Sequence, residues 1–203
     1  MPALVKVDLQ EILNGPGPVV VELGCGLRKR HKGSIGVDMA DLPTADVVAD
    51  INEGLPFLPD HSVDHIHCRS LLEHIVRFDL LMAEIVRVLK DQGTAHVSVP
   101  HFSNPHYYSD PTHVRPFGLY TFHYFVPEQA QLRRKVPTFY TTTRIRILSQ
   151  RLVFRSSFKV LNPFKKLVGW LLNLHPAFLE LYEENLCFIF PCQNIEIIFS
   201  PLR

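Results

Sequence analysis

The sequence predicts an α/β fold: a Rossmann-like, doubly wound, mainly parallel sheet with an antiparallel C-terminal edge hairpin. Three observations support this prediction. Short β-branched segments alternate with loops and helical segments through residues 1–100, which is the pattern of consecutive βαβ units. The first of these segments runs into a turn with two glycines, where strands of such sheets meet ligands. The last two predicted strands have no helix of normal βαβ form, which favours antiparallel pairing at the sheet edge.

Five strands and one long helix are predicted in the first half of the chain. The strands are β-branched runs bounded by glycine, proline or acidic residues, at positions 18–23, 34–39, 45–50, 63–68 and 94–100. Apolar residues at helical spacing predict a helix over residues 71–90, which ends at the Asp-Gln-Gly segment 91–93. Only about ten residues separate the first two strands, so a crossover helix there must be very short or distorted.

The second half of the chain begins with a long loop rich in aromatic, histidine and proline residues, at positions 101–117. Loops of this length usually have a functional role. A helix is predicted near residues 118–125, an alternating strand over 141–154, an apolar helix over 163–174 and a final strand over 194–202. We expect one domain over residues 1–203. Residues 1–100 form its cofactor-binding half, and residues 101–203 supply a substrate loop, lid-like helices and edge strands.

Composition and charge indicate a globular protein of a reducing compartment. Apolar residues make up 46% and charged residues 20% of the chain, and its four cysteines show no paired spacing. The N-terminus lacks the pattern of a signal peptide and no apolar run is long enough to span a bilayer, so we expect a cytoplasmic location. The net charge is +1, yet residues 131–166 hold ten Lys and Arg and no acid. This segment is either a solvated face or a surface for anionic partners. No nucleic-acid partner is expected.

The residues that follow the first three strands predict a nucleotide-like cofactor. Glycines 24 and 26 permit a sharp turn and let a ligand touch the backbone. Asp38 ends the second strand, where a carboxylate can bind both ribose hydroxyls, and Asp50 ends the third, where it can meet an adenine edge. The dinucleotide fingerprint is missing, because Lys29 occupies the third glycine position and Asp38 follows Gly24 by only fourteen residues.

The motifs VELGCG, GVDM, VVADI, LPFLPDHSVDHIHCRSLLEHI and EIVRVLKDQGTAHVSVP resemble a known family. They are similar to class I S-adenosylmethionine-dependent methyltransferases of the small, methyltransferase-domain-11-like type, over about residues 18–100. The resemblance implies that the glycine turn contacts the methionine moiety, that the acid after the second strand holds the ribose and that the acid after the third lies beside adenine. It implies cofactor contacts for Glu22, Gly24, Cys25, Gly26, Asp38, Met39, Asp50, Ile51, Ser70 and Leu71.

Ser70 and Glu73 also have the spacing of a capping box, so Ser70 is either a helix cap or a cofactor contact. His74 follows directly and could take up a proton during transfer, although a single histidine on a helix is more often packed or exposed. By the resemblance, Glu73 and His74 border the sulfonium end of the cofactor.

The loop after the fifth strand is where we expect the acceptor, because ligands bind outside the carboxyl ends of parallel strands. His101 and His113 are the main base candidates, and Asp110 would orient an imidazole. Arg115 would clamp a carboxylate or phosphate, and Asn104 and His106 would contact the substrate. His101, His106, Asp110 and His113 also permit a metal site. Asp and Asn capping beside prolines is the simpler interpretation, so no metal is predicted.

The sequence therefore predicts an enzyme that uses S-adenosylmethionine to methylate a small molecule, glycan or other biosynthetic intermediate, with O-methylation expected. The DPTHVRPF stretch resembles bacterial methyltransferases of surface-polysaccharide and other biosynthetic clusters. Two alternatives are a NAD-dependent oxidoreductase and a noncatalytic binding module of the same fold. In the module, the basic and apolar segment 158–174 would make a weak peripheral membrane contact, although a lid or core helix is the simpler interpretation. The sequence leaves the oligomeric state open.

Overall fold

A computed structural model describes residues 3–203, which form an eight-stranded sheet. The strands are β1 (Leu4–Val5), β2 (Val20–Leu23), β3 (Ile35–Asp38), β4 (Val47–Val48), β5 (Val63–Arg69), β6 (Leu89–Pro100), β7 (Ile145–Val153) and β8 (Asn194–Pro201). Their order in the sheet is β1-β4-β3-β2-β5-β6-β8-β7. The five central strands from β4 to β6 are parallel, and β8 pairs antiparallel with both β6 and β7. The predicted mainly parallel sheet with an antiparallel C-terminal edge is confirmed.

Four α-helices accompany the sheet. They are α1 (Leu9–Leu13), α2 (Phe78–Val88), α3 (Asn162–Leu172) and α4 (Pro176–Asn185). The sequence analysis missed α4, which begins with a proline in its first turn and with the His175 ring accepting the Ala177 N–H. The segment predicted as a helix near residue 118 is a 3₁₀ turn, Thr121–Phe125. Among the described residues, no helix is long and apolar enough to cross a membrane.

The helix predicted to start at residue 71 in fact starts at Phe78. Leu72–His74 form a short 3₁₀ turn, whose cap Leu71 makes no side-chain capping hydrogen bond. Ser70 has a φ of +48°, so the predicted capping box with Glu73 does not form. Tertiary contacts interrupt the helix, because the Asn52 side chain accepts the Val76 and Arg77 N–H groups.

One face of the sheet holds the hydrophobic core and the opposite face is polar. In β5, for example, Ile66 and Cys68 are buried, while His65 and His67 alternate with them and are partly exposed. In β6, Val97 is buried and His96 is partly exposed. Apolar residues of α2, α3 and α4 join the same core cluster. The polar face thus stays accessible beside the strands that hold the candidate site.

The crossover between β2 and β3 has no helix at all, which goes further than the short or distorted helix predicted. Residues 24–34 form turns and loop instead. The buried Glu22 carboxylate holds this loop by accepting the Arg30 and His31 N–H groups. The Lys29 ammonium forms an ion pair with Asp46 and donates to the Ser34 carbonyl. These polar contacts take the place of helix packing and leave the end of β2 open.

Candidate active site

The glycine turn lies at the carboxyl end of β2, and both of its glycines have left-handed backbone conformations. The φ angles are +68° at Gly24 and +56° at Gly26, which other residues rarely adopt. A Cβ at Gly24 would lie 3.1 Å from the Leu71 side chain, whereas nothing lies within 4 Å of the same position at Gly26. The turn is therefore packed against the chain after β5 on one side, while a ligand can approach its backbone at Gly26.

Two acidic residues follow the neighbouring strands. The Asp38 carboxylate accepts the Gly26 N–H at 2.8 Å and the Ala40 N–H at 3.0 Å, so the structure brings it directly to the glycine turn. A carboxylate has about four acceptor sites, which leaves room for the hydroxyl groups of a ligand. The Asp50 carboxylate accepts the Asn52 N–H at 3.0 Å and caps a short 3₁₀ turn. Of these two acids, only Asp38 is hydrogen-bonded to the glycine turn.

The other predicted cofactor residues of β2, β3 and the turn after β4 have structural contacts of their own. Both carboxylate oxygens of Glu22 are used by the loop after the glycine turn. Cys25 is buried, and burial raises the pKa of its thiol. The Met39 side chain is 72% exposed, whereas Ile51 is buried in the core. Of these four residues, only Met39 has an exposed side chain.

A cavity of about 590 Å³ extends from the glycine turn across the polar face of the sheet. This volume lies in the range of small-molecule sites. Its walls include the turn, Ser70, three histidines and four arginines, which are Arg28, Arg30, Arg69 and Arg151. Asp38 and Asp50 are not among the lining residues, but Asp38 is one hydrogen bond away from the wall at Gly26.

The histidines of this cavity were missed in the sequence analysis. His31 stacks on His67 with ring centroids 3.5 Å apart, and His67 lies 4.8 Å from His96. Burial and the neighbouring histidines lower the pKa of His67 to about 4, so it is neutral at pH 7. Polar residues at every second position of residues 63–69 were the available signal, because they indicate a strand with one polar face.

A second group of polar side chains lies where the chain leaves the carboxyl ends of β5 and β6. It contains Glu73, His74, Asp110 and His113. The His113 Nε2 atom is 4.0 Å from Glu73 Oε1 and 3.7 Å from Asp110 Oδ2, and the His74 and His113 ring centroids are 4.8 Å apart. The Glu73 carbonyl ties the loop in place by accepting the Val114 N–H at 2.8 Å. The structure therefore brings together three of the four predicted catalytic residues.

His101, the fourth predicted catalytic residue, has a different environment. Its ring is fully buried, with Nδ1 2.8 Å from the Ser103 hydroxyl and Nε2 3.1 Å from the Glu183 carboxylate. Both ring nitrogens are thus occupied by residues outside the His74–His113 group. We correct its assignment from general base to a residue that joins the loop after β6 to α4.

The predicted substrate contacts are also placed away from the cavity at the glycine turn. Arg115 lies over the Phe78 ring, with its Cζ 5.2 Å from the centroid, and donates to the Val76 carbonyl. Asn104 is buried and caps the 3₁₀ turn that contains His106. Asn104 and His106 border a separate cavity of about 400 Å³. The predicted set His101, His106, Asp110 and His113 is therefore split between two regions.

A family model described as Methyltransferase domain matches residues 22–97, which contain the glycine turn, β3 to β5 and most of β6. No curated protein sequence matches the chain.

Solved structures share the fold at low sequence identity. A SAM-dependent methyltransferase from Archaeoglobus fulgidus is 19% identical with a TM-score of 0.53, covering 91% of this chain and 86% of that chain. The YcgJ protein from Bacillus subtilis is 17% identical with a TM-score of 0.53, covering 96% and 97%. Phosphoethanolamine N-methyltransferase 2 from Haemonchus contortus, in complex with phosphomonomethylethanolamine and S-adenosylhomocysteine, is 13% identical with a TM-score of 0.54, covering 96% and 52%.

Proposed function

We propose that this chain is a class I S-adenosylmethionine-dependent methyltransferase and that it methylates an oxygen of a small-molecule or glycan acceptor. The observation that supports this proposal most is the hydrogen bond between the Asp38 carboxylate and the Gly24–Gly26 turn at the carboxyl edge of the sheet. That edge is where ligands bind in parallel α/β sheets. We propose that Gly24, Cys25 and Gly26 contact the methionine moiety, that Asp38 binds the ribose and that Asp50 lies beside adenine.

The turn fits a cofactor without phosphates better than a dinucleotide. Pyrophosphate binding in nucleotide folds uses the N-terminus of the helix that follows the glycines. Residues 24–34 of this chain contain no helix, and the Lys29 side chain in the third glycine position is held by Ser34 and Asp46. When bound, S-adenosylmethionine supplies a methyl group already activated by its sulfonium centre. The protein then has to align the acceptor and exclude water.

We propose His113 as the group that accepts the acceptor's proton. Its Nδ1 atom donates to the Tyr107 carbonyl at 2.8 Å, which leaves Nε2 with a lone pair. The ring stacks on Tyr107 and is held between Glu73 and Asp110. An imidazole placed in this way can accept a hydroxyl proton. His74 is the neighbouring alternative.

The charge of the cavity favours an anionic acceptor. Four arginines line the cavity, against the two acids Glu22 and Glu196, and two of these arginines lie on strands, Arg69 on β5 and Arg151 on β7. Arginine binds carboxylate and phosphate groups in a bidentate manner. We therefore propose an acidic small molecule or an acidic glycan, and we move the predicted clamp from Arg115 to these two arginines.

Isothermal titration of the purified protein with S-adenosylhomocysteine and, separately, with NADH tests the cofactor. We expect S-adenosylhomocysteine to bind at one equivalent and NADH to give no heat. Binding of NADH alone would support an oxidoreductase, and binding of neither would support a noncatalytic module.

We also propose a peripheral contact with an anionic membrane through the apolar surface of α3 and α4. Thirteen large apolar side chains between residues 158 and 189 are more than 40% exposed: Phe158, Val160, Leu161, Phe164, Leu167, Trp170, Leu171, Leu174, Phe178, Leu181, Leu186, Phe188 and Ile189. Large exposed apolar surfaces mark interaction sites. Lys159, Lys165 and Lys166 lie in the first part of this segment, residues 158–174, which holds no acid, so the charge of that part complements anionic lipid. A cytoplasmic location stays a prediction.

Sedimentation with vesicles tests this contact. We expect binding to vesicles that contain phosphatidylglycerol and weak binding to pure phosphatidylcholine. The variant Leu167→Glu with Trp170→Glu should lose binding. Leu148→Glu, which changes an exposed residue of β7 outside this surface, should retain it. If the wild type does not bind vesicles but is a dimer in light scattering, and the double variant is a monomer, then a second copy of the chain covers the surface instead.

A further inference from the structure

Glu73 is a buried carboxylate that lacks part of its hydrogen bonding. The residue is 1% exposed, and its Oε2 atom has no hydrogen-bond partner among the described residues. Because an unpaired buried carboxylate is costly, such groups are usually paired with a cation or bound to a metal. The side chain therefore lies in a place that lacks a positive partner.

Two histidines beside Glu73 have the same orientation relative to their hydrogen-bond partners. The Nδ1 atom of His113 donates to the Tyr107 carbonyl at 2.8 Å. The Thr112 hydroxyl donates to the Asp110 carboxylate at 2.6 Å, so it accepts from Nδ1 of His74 at 2.9 Å. Each ring thus has its proton on Nδ1 and a lone pair on Nε2. Metal-binding histidines show this arrangement, in which the second nitrogen donates to an outer carbonyl or hydroxyl oxygen.

The potential ligand atoms of Glu73, His74 and His113 all lie within 4.8 Å of one another. A contraction of up to about 1.5 Å would bring them to the separation of tetrahedral ligands around one ion at about 2.0–2.2 Å. Asp110 lies on the solvent side of this group, with Oδ2 3.7 Å from His113 Nε2. Two imidazoles and a carboxylate are typical ligands of divalent transition metals.

We propose that Glu73, His74 and His113 bind a divalent transition-metal ion of the Zn²⁺ type, with Asp110 as a further ligand from the solvent side. This reverses the sequence prediction that no metal binds. The site lies where the chain leaves the carboxyl ends of two adjacent parallel strands, β5 and β6. Resting on the proposed methyl transfer, we assign the ion the task of binding the acceptor's oxygen and lowering the pKa of its hydroxyl group. His113 is then a ligand in the metal-loaded protein and a proton acceptor only without it.

The test measures metal binding without any assay of activity. Protein treated with a chelator and then desalted is titrated with Co²⁺, followed by visible absorbance, and with Zn²⁺, followed by calorimetry. We expect one equivalent of each metal in the wild type. Glu73→Gln and His113→Gln should each weaken Zn²⁺ binding at least tenfold, and Zn²⁺ should raise the Tm of the wild type more than that of either variant.

The control variant is His67→Gln, which disrupts the separate histidine stack on the sheet face. It should bind Zn²⁺ like the wild type. If Glu73→Gln does not fold, Asp110→Asn provides the readout, because this residue is exposed and its loss should weaken binding without unfolding the chain. No binding by the wild type, or binding that depends on His67 and not on Glu73, overturns the proposal. S-adenosylhomocysteine titrated in parallel separates the outcomes, because its binding without metal binding leaves the proposed function intact.

Discussion

Removal of the Asp38 carboxylate should weaken ligand binding strongly while it lowers the stability of the fold only slightly. In Asp38→Ala, the N–H groups of Gly26 and Ala40 lose an acceptor that lies at 2.8 and 3.0 Å. Both groups lie in turns where water can replace the carboxylate, so we expect a stability loss of about 1 kcal/mol, as for a lost capping residue. In a chain of this size, that lowers the Tm by about 2–4 °C.

The loss of cofactor affinity should be larger. A ribose binds a carboxylate through two hydroxyl groups, and a hydrogen bond to a charged group contributes about 1.5–3 kcal/mol. Loss of both, partly offset by water, gives about 3 kcal/mol, which is about a hundredfold in Kd for S-adenosylhomocysteine. Isothermal titration measures this change at a temperature well below the Tm of the variant.

Asp41→Ala is the matched control. This acid follows Asp38 in the same loop, and its partner is the Lys6 ammonium at 2.9 Å on the surface. Exposed ion pairs contribute little, so both Tm and Kd should stay close to the wild type. Equal affinities of Asp38→Ala and Asp41→Ala for S-adenosylhomocysteine would refute the ribose assignment.

Three further perturbations test the site. Gly24→Ala forces an alanine into a left-handed conformation, which costs about 1–2 kcal/mol, and places its Cβ against Leu71, so it should weaken S-adenosylhomocysteine binding at least tenfold. The control Gly33→Ala has a similar φ of +80° with no atom near the new Cβ, so it should only lower the Tm. Equal affinities of the two variants for S-adenosylhomocysteine would contradict the packing argument. His113→Ala should lower turnover at least tenfold with little change in S-adenosylhomocysteine affinity; unchanged turnover would remove it from the chemistry. The pKa of His67 is lowered from 6.5 to about 4 in the folded protein, so between these pH values the unfolded chain binds a proton at His67 that the folded chain does not bind. The stability should therefore fall as the pH drops from 6.5 towards 4. His67→Gln should reduce that loss of Tm, and an unchanged pH dependence of Tm would contradict the lowered pKa of His67.

The linear pattern of the chain was sufficient to predict the sheet and the position of the glycine turn. β-branched runs, glycines 24 and 26, and the acids that end β3 and follow β4 are local features, because strand propensity and turn geometry depend on neighbouring residues. The family resemblance over residues 18–100 depended on the same segments, and the family model matches residues 22–97.

Only the tertiary structure decided where the helix after β5 begins and which histidines lie near the site. Apolar spacing favoured a helix from residue 71, yet the Asn52 side chain and the loop after β6 bind the backbone groups that such a helix would use. His101 and His113 look alike in the sequence, since both lie in the loop after β6. The first is enclosed by Glu183 of α4 and the second faces Glu73 across the gap between β5 and β6.

The difference between what the sequence predicted and what the tertiary structure decided has a physical reason. Secondary structure follows from interactions within a few residues along the chain, whereas the candidate metal site and the open polar sheet face join residues far apart in the sequence. Glu73 and His113 meet because parallel β5 and β6 end at the same edge, and that pairing depends on the whole core. The sequence by itself therefore determined the fold class and the sheet edge that carries the glycine turn, and the packing of distant segments decided which side chains gather near that edge.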